Sequence, residues 1–224
     1  MAMRHRVLAG LLLACSALMP LGAQTQTPTE LAKALQNRYA AIRDFSTDFA
    51  HTYRGGVLKK SITEKGHLLI KKPGMMRWDY TSPEVKQFVS DGAKLYSYIP
   101  ADKQVVVGTV PQNDAASTPA LFLTGKGDLT RDFTASAGDV PSGSAPGTRA
   151  LKLVPRKAQP DYDWLVLLVD PGSLTLRGMV TADAQGGTSV FSFSNLKENV
   201  GLADKEFTFR MPHGVDVITD GGGR

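Results

Sequence analysis

The chain has 224 residues, 42% hydrophobic and 21% charged, with a formal net charge of +5. That length suits one domain or at most two, and that composition supports a packed core, which excludes a disordered or fibrous protein. The basic excess forms no block interleaved with stacking aromatics, so nucleic acid is not an expected partner.

MAMRHR at the N-terminus is a basic opening, and VLAGLLLACSALMPLGA is an apolar run ending in small residues. Together they read as a secretory signal over residues 1–23, cut after Ala23. Its removal takes away Arg4 and Arg6 and no acid, so 26 basic and 21 acidic residues become 24 and 21, a net +3. The rest of the chain holds no apolar span long enough to cross a bilayer. The only cysteine, Cys15, lies inside this segment. LLAC loosely resembles a lipobox, which would make the protein lipid-anchored. The apolar run continuing past Cys15 favours a cleaved signal instead. A single domain is then expected over 24–219, with a Gly-rich tail at 220–224.

Thr27, Pro28 and Glu30 form a capping box with proline at the first helical position. Leu31, Leu35, Tyr39 and Ile42 recur every three or four residues, so a helix with one apolar face is expected. From Phe45 the period changes to two, with Phe45, Thr47, Phe49, His51 and Tyr53 sharing a strand face. A second strand carries Ile62, Leu68 and Ile70 on one face, and a third alternates Met76, Trp78 and Tyr80. Asp91-Gly92 joins two further strands as a hairpin. After KQVVV, the stretch STPALFL reads as a short, very apolar helix over 118–123, stopped by Thr124-Gly125. Four strands follow at 149–154, 164–169, 174–182 and 188–198. A helical turn at 202–205 and a last strand at 206–210 complete the chain. About ten strands with few helices predict one antiparallel sheet, strongly curved or nearly closed.

Chemistry is hard to find in this pattern. His51, His67 and His213 have no paired metal-ligand spacing. Ser144 sits in PSGSAPG without the strand and helix of a nucleophile elbow. No phosphate-binding loop is present, and the acids are scattered, so an enzyme is not expected. The apolar strand faces are the stronger lead. Phe49, Met76, Trp78, Phe88, Tyr96, Tyr98, Trp164, Phe191 and Phe193 give the sheet more apolar surface than two short helices readily cover. That leaves either a packed core or a cavity for an apolar ligand.

Several stretches match one family in order. KKPGMMRWDYTSPEVKQFVSDGAKLYSYIPADKQV resembles the signature region of the LolA family, periplasmic carriers of outer-membrane lipoproteins. STPALFL resembles that family's "TP" helix, and FTFRMPHGVDVI its C-terminal stretch. The first helix and the signal also fit, so the resemblance spans nearly the whole mature chain. It implies a mainly β fold, an incomplete, strongly curved antiparallel β-barrel with helices as its lid and a hydrophobic interior. It implies a monomer without cofactor or covalent chemistry. Such a carrier accepts acylated lipoproteins from an inner-membrane ABC-type release complex and hands them to the outer-membrane acceptor LolB. The expected lipid-binding residues are Tyr39, Phe49, Met75, Met76, Trp78, Phe88, Tyr96, Tyr98, Leu121, Phe122 and Phe191. The family often carries an arginine before the proline, which bonds to lid-helix backbone; here that position is Lys72, with Arg77 as a second candidate latch. LolA-like folds also serve as carriers of other lipids, such as glycolipids or acyl products, and as membrane-anchored LolB-like acceptors, so those readings stay open.

Overall fold

The computed structural model describes residues 26–55, 60–110, 122–159, 162–182 and 186–219. One helix, α1 (Pro28–Ala41), opens it. Thr27 Oγ1 accepts from the Glu30 amide at 3.3 Å, and the Glu30 carboxylate accepts from the Thr27 amide at 2.8 Å. These reciprocal bonds satisfy two of the donors that every helix start leaves open. Leu31, Ala32, Leu35 and Tyr39 form the buried stripe of α1, which packs against the strands Phe133–Ala137 and Arg149–Pro155.

Apart from two short 3-10 turns, the other elements among the described residues are strands: β1 (Asp44–Arg54), β2 (Ser61–Lys71), β3 (Met75–Ser82), β4 (Lys86–Asp91), β5 (Lys94–Ile99) and β6 (Gln104–Thr109), then β7 (Phe133–Ala137), β8 (Arg149–Pro155), β9 (Trp164–Val169), β10 (Leu176–Ala182), β11 (Thr188–Glu198) and β12 (Asp216–Thr219). They form one curved, open sheet in the order β12-β6-β5-β4-β3-β2-β1-β11-β10-β9-β8-β7. Every pairing is antiparallel except β12 with β6. Short turns explain the antiparallel run: Gly74 and Gly92 both take positive φ at the tight corners between β2, β3, β4 and β5. Among the described residues no helix is long and apolar enough to cross a membrane.

Strand register fixes which residues point inward. Phe45, Phe49 and His51 on β1 lie opposite Ile70, Gly66 and Glu64 on β2. Ile70, Leu68 and Gly66 in turn lie opposite Met76, Trp78 and Tyr80 on β3. Directly opposed residues share a face, so these side chains line the concave interior. Leu151, Leu153, Leu165, Leu167 and Met179 join them, all at most 1% exposed.

The last elements differ from the sequence reading. Residues 206–210 are not a strand: a short 3-10 turn, Asp204–Phe207, packs against β3 and β4, and Phe209 stacks on Tyr96 with centroids 5.0 Å apart. The alternation of Phe207 and Phe209 reflects packing on the sheet's convex side and not a hydrogen-bonded ladder. Strands β7 and β12 had no sequence signal and form the two edges.

Candidate functional site

Three segments converge at one end of the concave face. Tyr39, in the last turn of α1, stacks on Phe122 with centroids 5.6 Å apart and planes 13° apart. Its hydroxyl donates to the Leu123 carbonyl at 2.6 Å, inside a fully buried contact. Burial pushes the Tyr39 phenol well above its ordinary pKa, with Glu198 adding to the shift. Phe122 and Leu123 are the described end of the expected apolar helix, and both are buried. Leu121 and the rest of that helix, residues 118–121, lie outside the described residues.

Lys72, at the corner between β2 and β3, closes this group. Its ammonium lies 3.4 Å from the Tyr39 ring centroid and donates to the Tyr39 carbonyl. That carbonyl belongs to the last turn of α1, where backbone acceptors lack a full set of intrahelical partners. The Lys72 stem runs across Gly125, where an added Cβ would come within 2.9 Å of Lys72 Cδ. Gly125 also holds φ +86, so two constraints favour glycine there. The Gly74 amide donates to the Thr124 carbonyl at 3.2 Å. Lys72 therefore ties the sheet to both covering segments. Burial pulls its pKa down to about 8, while the Glu198 carboxylate opposes that shift.

Beneath this cover, the described side chains pack closely. A cavity of about 20 Å³ remains, lined by Leu35, Arg38, Tyr39, Phe45, Phe122, Leu167, Leu196 and Glu198 among others. That is room for about one water molecule. A long apolar ligand would fit this space only if α1 and the 122–125 turn moved or the aromatic side chains gave way.

Deeper in, the aromatic residues form a nest. Phe49 meets Trp78 at 5.1 Å and Tyr80 at 4.8 Å, both edge to face, and Phe191 lies 5.4 Å from Trp78. Phe88, opposite Trp78, meets Tyr80 at 5.7 Å. Met76 is 5% exposed on the same face. The structure thus brings together Tyr39, Phe49, Met76, Trp78, Phe88, Phe122 and Phe191.

Four expected residues lie elsewhere. Arg77 pairs with Val89 and Val89 with Tyr96, while Asp79 pairs with Gln87 and Gln87 with Tyr98. This is the convex set, one residue out of step with Trp78. Tyr96 and Tyr98 pack on Phe209, and Arg77 bonds Asp79 at 2.7 Å and the Glu206 carbonyl at 3.2 Å. Arg77 secures the C-terminal segment and not the covering helix. Met75 shares that convex register and is half-buried.

One further group belongs to no sequence motif. Glu64, 9% exposed, accepts from Lys86 Nζ at 2.5 Å and meets His51 Nδ1 at 3.2 Å. His51 Nε2 meets Ser189 Oγ at 3.1 Å, and its ring stacks on Phe191 at 4.1 Å. Burial lowers the His51 pKa, against the pull of Glu64. His51 stands six residues beyond Phe45, about 20 Å along the strand. A charged network therefore closes the end of the interior away from Lys72. Its sequence signal was Glu64 itself, an acid in step with Leu68 and Ile70.

The Tyr39 hydroxyl gives a direct test of the cover. Tyr39→Phe keeps the ring stack but leaves the buried Leu123 carbonyl without that donor, at a cost of about 1.4 kcal/mol. Hydrogen exchange at the Gly125 amide, which bonds the Phe122 carbonyl at 3.0 Å, is expected to quicken about tenfold. Unchanged exchange would show that the cover does not depend on this bond.

Residues 40–210 match the family model described as outer membrane lipoprotein carrier protein LolA. The chain is 30% identical to the outer-membrane lipoprotein carrier protein of Cupriavidus pinatubonensis, across 96% of this chain and 99% of that protein. It is 31% identical to the protein of that name from Ralstonia nicotianae, across 96% of each. Among solved structures, an uncharacterized conserved protein from Thermus thermophilus aligns with a TM-score of 0.50 at 10% identity, covering 84% of this chain and 97% of that one. That last likeness is one of fold alone.

Proposed function

The chain belongs to the LolA family of outer-membrane lipoprotein carrier proteins, and from that premise we propose that it shields the acyl chains of lipoproteins inside its curved sheet. In this reading residues 1–23 direct export and are removed, and the domain over 24–219 acts in the periplasm as a monomer. It receives acylated lipoproteins from an inner-membrane ABC-type release complex and passes them to the outer-membrane acceptor LolB. No cofactor and no turnover are required.

The observation that carries this reading is an apolar interior beneath a cover tied to the sheet by separate polar contacts at its rim, among them Lys72 to the Tyr39 carbonyl, Arg38 to Glu198 and the Gly74 amide to the Thr124 carbonyl. Each buried methylene contributes about 0.8 kcal/mol, so a chain of about fourteen methylenes gains roughly 11 kcal/mol out of water. Such a chain does not cross an aqueous gap unaided at a useful rate. Apolar contacts are broad and undirected, so a tightly packed but displaceable interior both holds and releases. Met76, unbranched and adaptable, suits that surface.

The test is a titration with a diacylated lipopeptide, followed by tryptophan fluorescence and by native mass spectrometry of protein purified from periplasm. Saturable change and co-purifying acylated protein are the expected results. No binding by a folded protein would refute the reading. A free glycolipid in the mass spectrum would keep the fold and reassign the cargo. A diacylglyceryl mass on Cys15 would instead make this an anchored acceptor.

A further inference from the structure

Two buried side-chain nitrogens have no hydrogen-bond partner among the described residues, Arg38 Nε and Trp78 Nε1. Arg38 already meets an anion through Nη2, which lies 2.6 Å from Glu198, and its side chain is 34% exposed. Trp78 has neither relief. It is 4% exposed, midway along β3, between Leu68 and Phe88 on the flanking strands.

The indole N–H is a donor only. Enclosing it without an acceptor costs about 1–3 kcal/mol, and native proteins leave few such groups. The Phe49 and Phe191 rings beside it offer at most a weak N–H···π contact. Phenylalanine would fill much of this space with no stranded donor. The tryptophan N–H is therefore a buried donor with its bond still to make, and an acceptor carried in by a bound molecule would satisfy it.

An acyl chain brings one kind of polar atom, the carbonyl oxygen of its ester or amide. We infer that the Trp78 indole N–H donates a hydrogen bond to an acyl carbonyl of the bound chain, so that the interior reads the chain's linkage as well as its length. This rests on the acyl-binding reading above. The geometry has a simple logic. Along β3, Trp78 lies about three residues, or roughly 10 Å, from the strand's start beside the Lys72 corner. The charged His51–Glu64–Lys86 network begins one inward step further, at Tyr80. A donor between cover and network fixes where along the interior the carbonyl end of a chain comes to rest. Apolar contacts alone leave that position free to slide.

The experiment compares two probes by calorimetry. One is a short cysteinyl peptide carrying a dipalmitoyl glyceryl ester; the other is its dihexadecyl ether analogue, which has the chains but no carbonyls. Wild type is expected to bind the ester about tenfold more tightly, the size of one buried neutral hydrogen bond. Trp78→Phe reshapes the lining for both probes, so the readout is the ester-to-ether ratio of affinities, which is expected to fall from about ten to about one. Equal affinities in wild type, or an ester preference that survives in Trp78→Phe, would overturn the inference. An infrared measurement decides the matter without any variant. With isotope-labelled ester carbonyls, a band shifted to lower wavenumber in the wild-type complex supports the bond, and an unshifted band refutes it. Failure of both probes to bind would sink the acyl-binding reading itself, a result distinct from equal binding of the two.

Discussion

Gly66→Ala is expected to lower the thermal midpoint by about 10 °C. Gly66 lies on the concave face of β2, opposite both Phe49 and Tyr80, at a register shift between β2 and β3. A Cβ there would come within 2.1 Å of the Asp79 carbonyl oxygen and 2.8 Å of Phe49 Cζ. The first neighbour is strand backbone and cannot swing aside. The second belongs to the edge-to-face pair of Phe49 and Tyr80, whose rings are 4.8 Å apart. Relief requires β2 and β3 to separate, which breaks ladder bonds and loosens the nest around Trp78. Overpacking of this kind costs about 3 kcal/mol, and each kilocalorie moves the midpoint of a domain this size by roughly 2–4 °C. Gly108→Ala is the matched control, because its Cβ would meet nothing within 4 Å. It should melt at or slightly above wild type, since alanine narrows the unfolded ensemble. A melt of Gly66→Ala within about 3 °C of that control would show that the strand pair is more pliant than its register implies.

The same region shows what the sequence reveals and what it hides. The central strands were legible because they are apolar on one face only: Met76, Trp78 and Tyr80 alternate with Arg77 and Asp79, and the structure buries the first set together. The cover was legible too, through the capping box at Thr27 and the Leu31–Leu35–Tyr39 spacing. Strand β5 misled because it is apolar on both sides. Leu95 packs against the interior while Tyr96 and Tyr98 pack on Phe209 outside. Alternation vanishes when both faces are covered, and a register error of one residue exchanges the two sets. Nothing local to β5 announces that a segment more than a hundred residues later covers its far side.

Edges were hidden for the opposite reason. All four residues of β12 are exposed, so no apolar period marks it. In β7 only Phe133 is buried, ahead of four small residues. β12 owes its pairing to the distant β6 and β7 to the next strand, β8, rather than to an apolar period of its own. The charged network has one local signal, Glu64 in step with Leu68 and Ile70, while its other members look ordinary alone. Glu64, Lys86 and His51 come from three strands, and only folding sets them on one face. Family resemblance pointed to position 72, and the contact of Lys72 over the Tyr39 ring depends on this chain having tyrosine there.

That pairing makes the cover sensitive to pH, with a definite sign. In the closed form burial holds Lys72 near pKa 8, and in water a lysine titrates near 10.5. Below about pH 8 both the closed and open forms carry the proton, and the closed form bears the full cost of a half-buried charge. Between about pH 8 and 10.5 the open form keeps a proton that the closed form has lost, so rising pH favours closure. Above that window both are neutral and the dependence ends. If acyl chains enter through the open form, their apparent affinity must fall across the same window, by at most tenfold per pH unit. The observed slope should be shallower than that limit, because the bond to the Tyr39 carbonyl and the ring contact both favour the charged amine. Lys72→Arg removes the titration, since a guanidinium stays charged throughout, and should bind ligand with a flat profile. Lys72→Met removes both charge and donor, and should bind ligand at neutral pH with faster association, because α1 then loses one of its ties to the sheet. Lipopeptide titrations of wild type and the two variants from about pH 7 to 10 separate these outcomes. Superimposable profiles for lysine and arginine at position 72 would mean that the cover opens without exposing this amine, and that the latch lies elsewhere on α1.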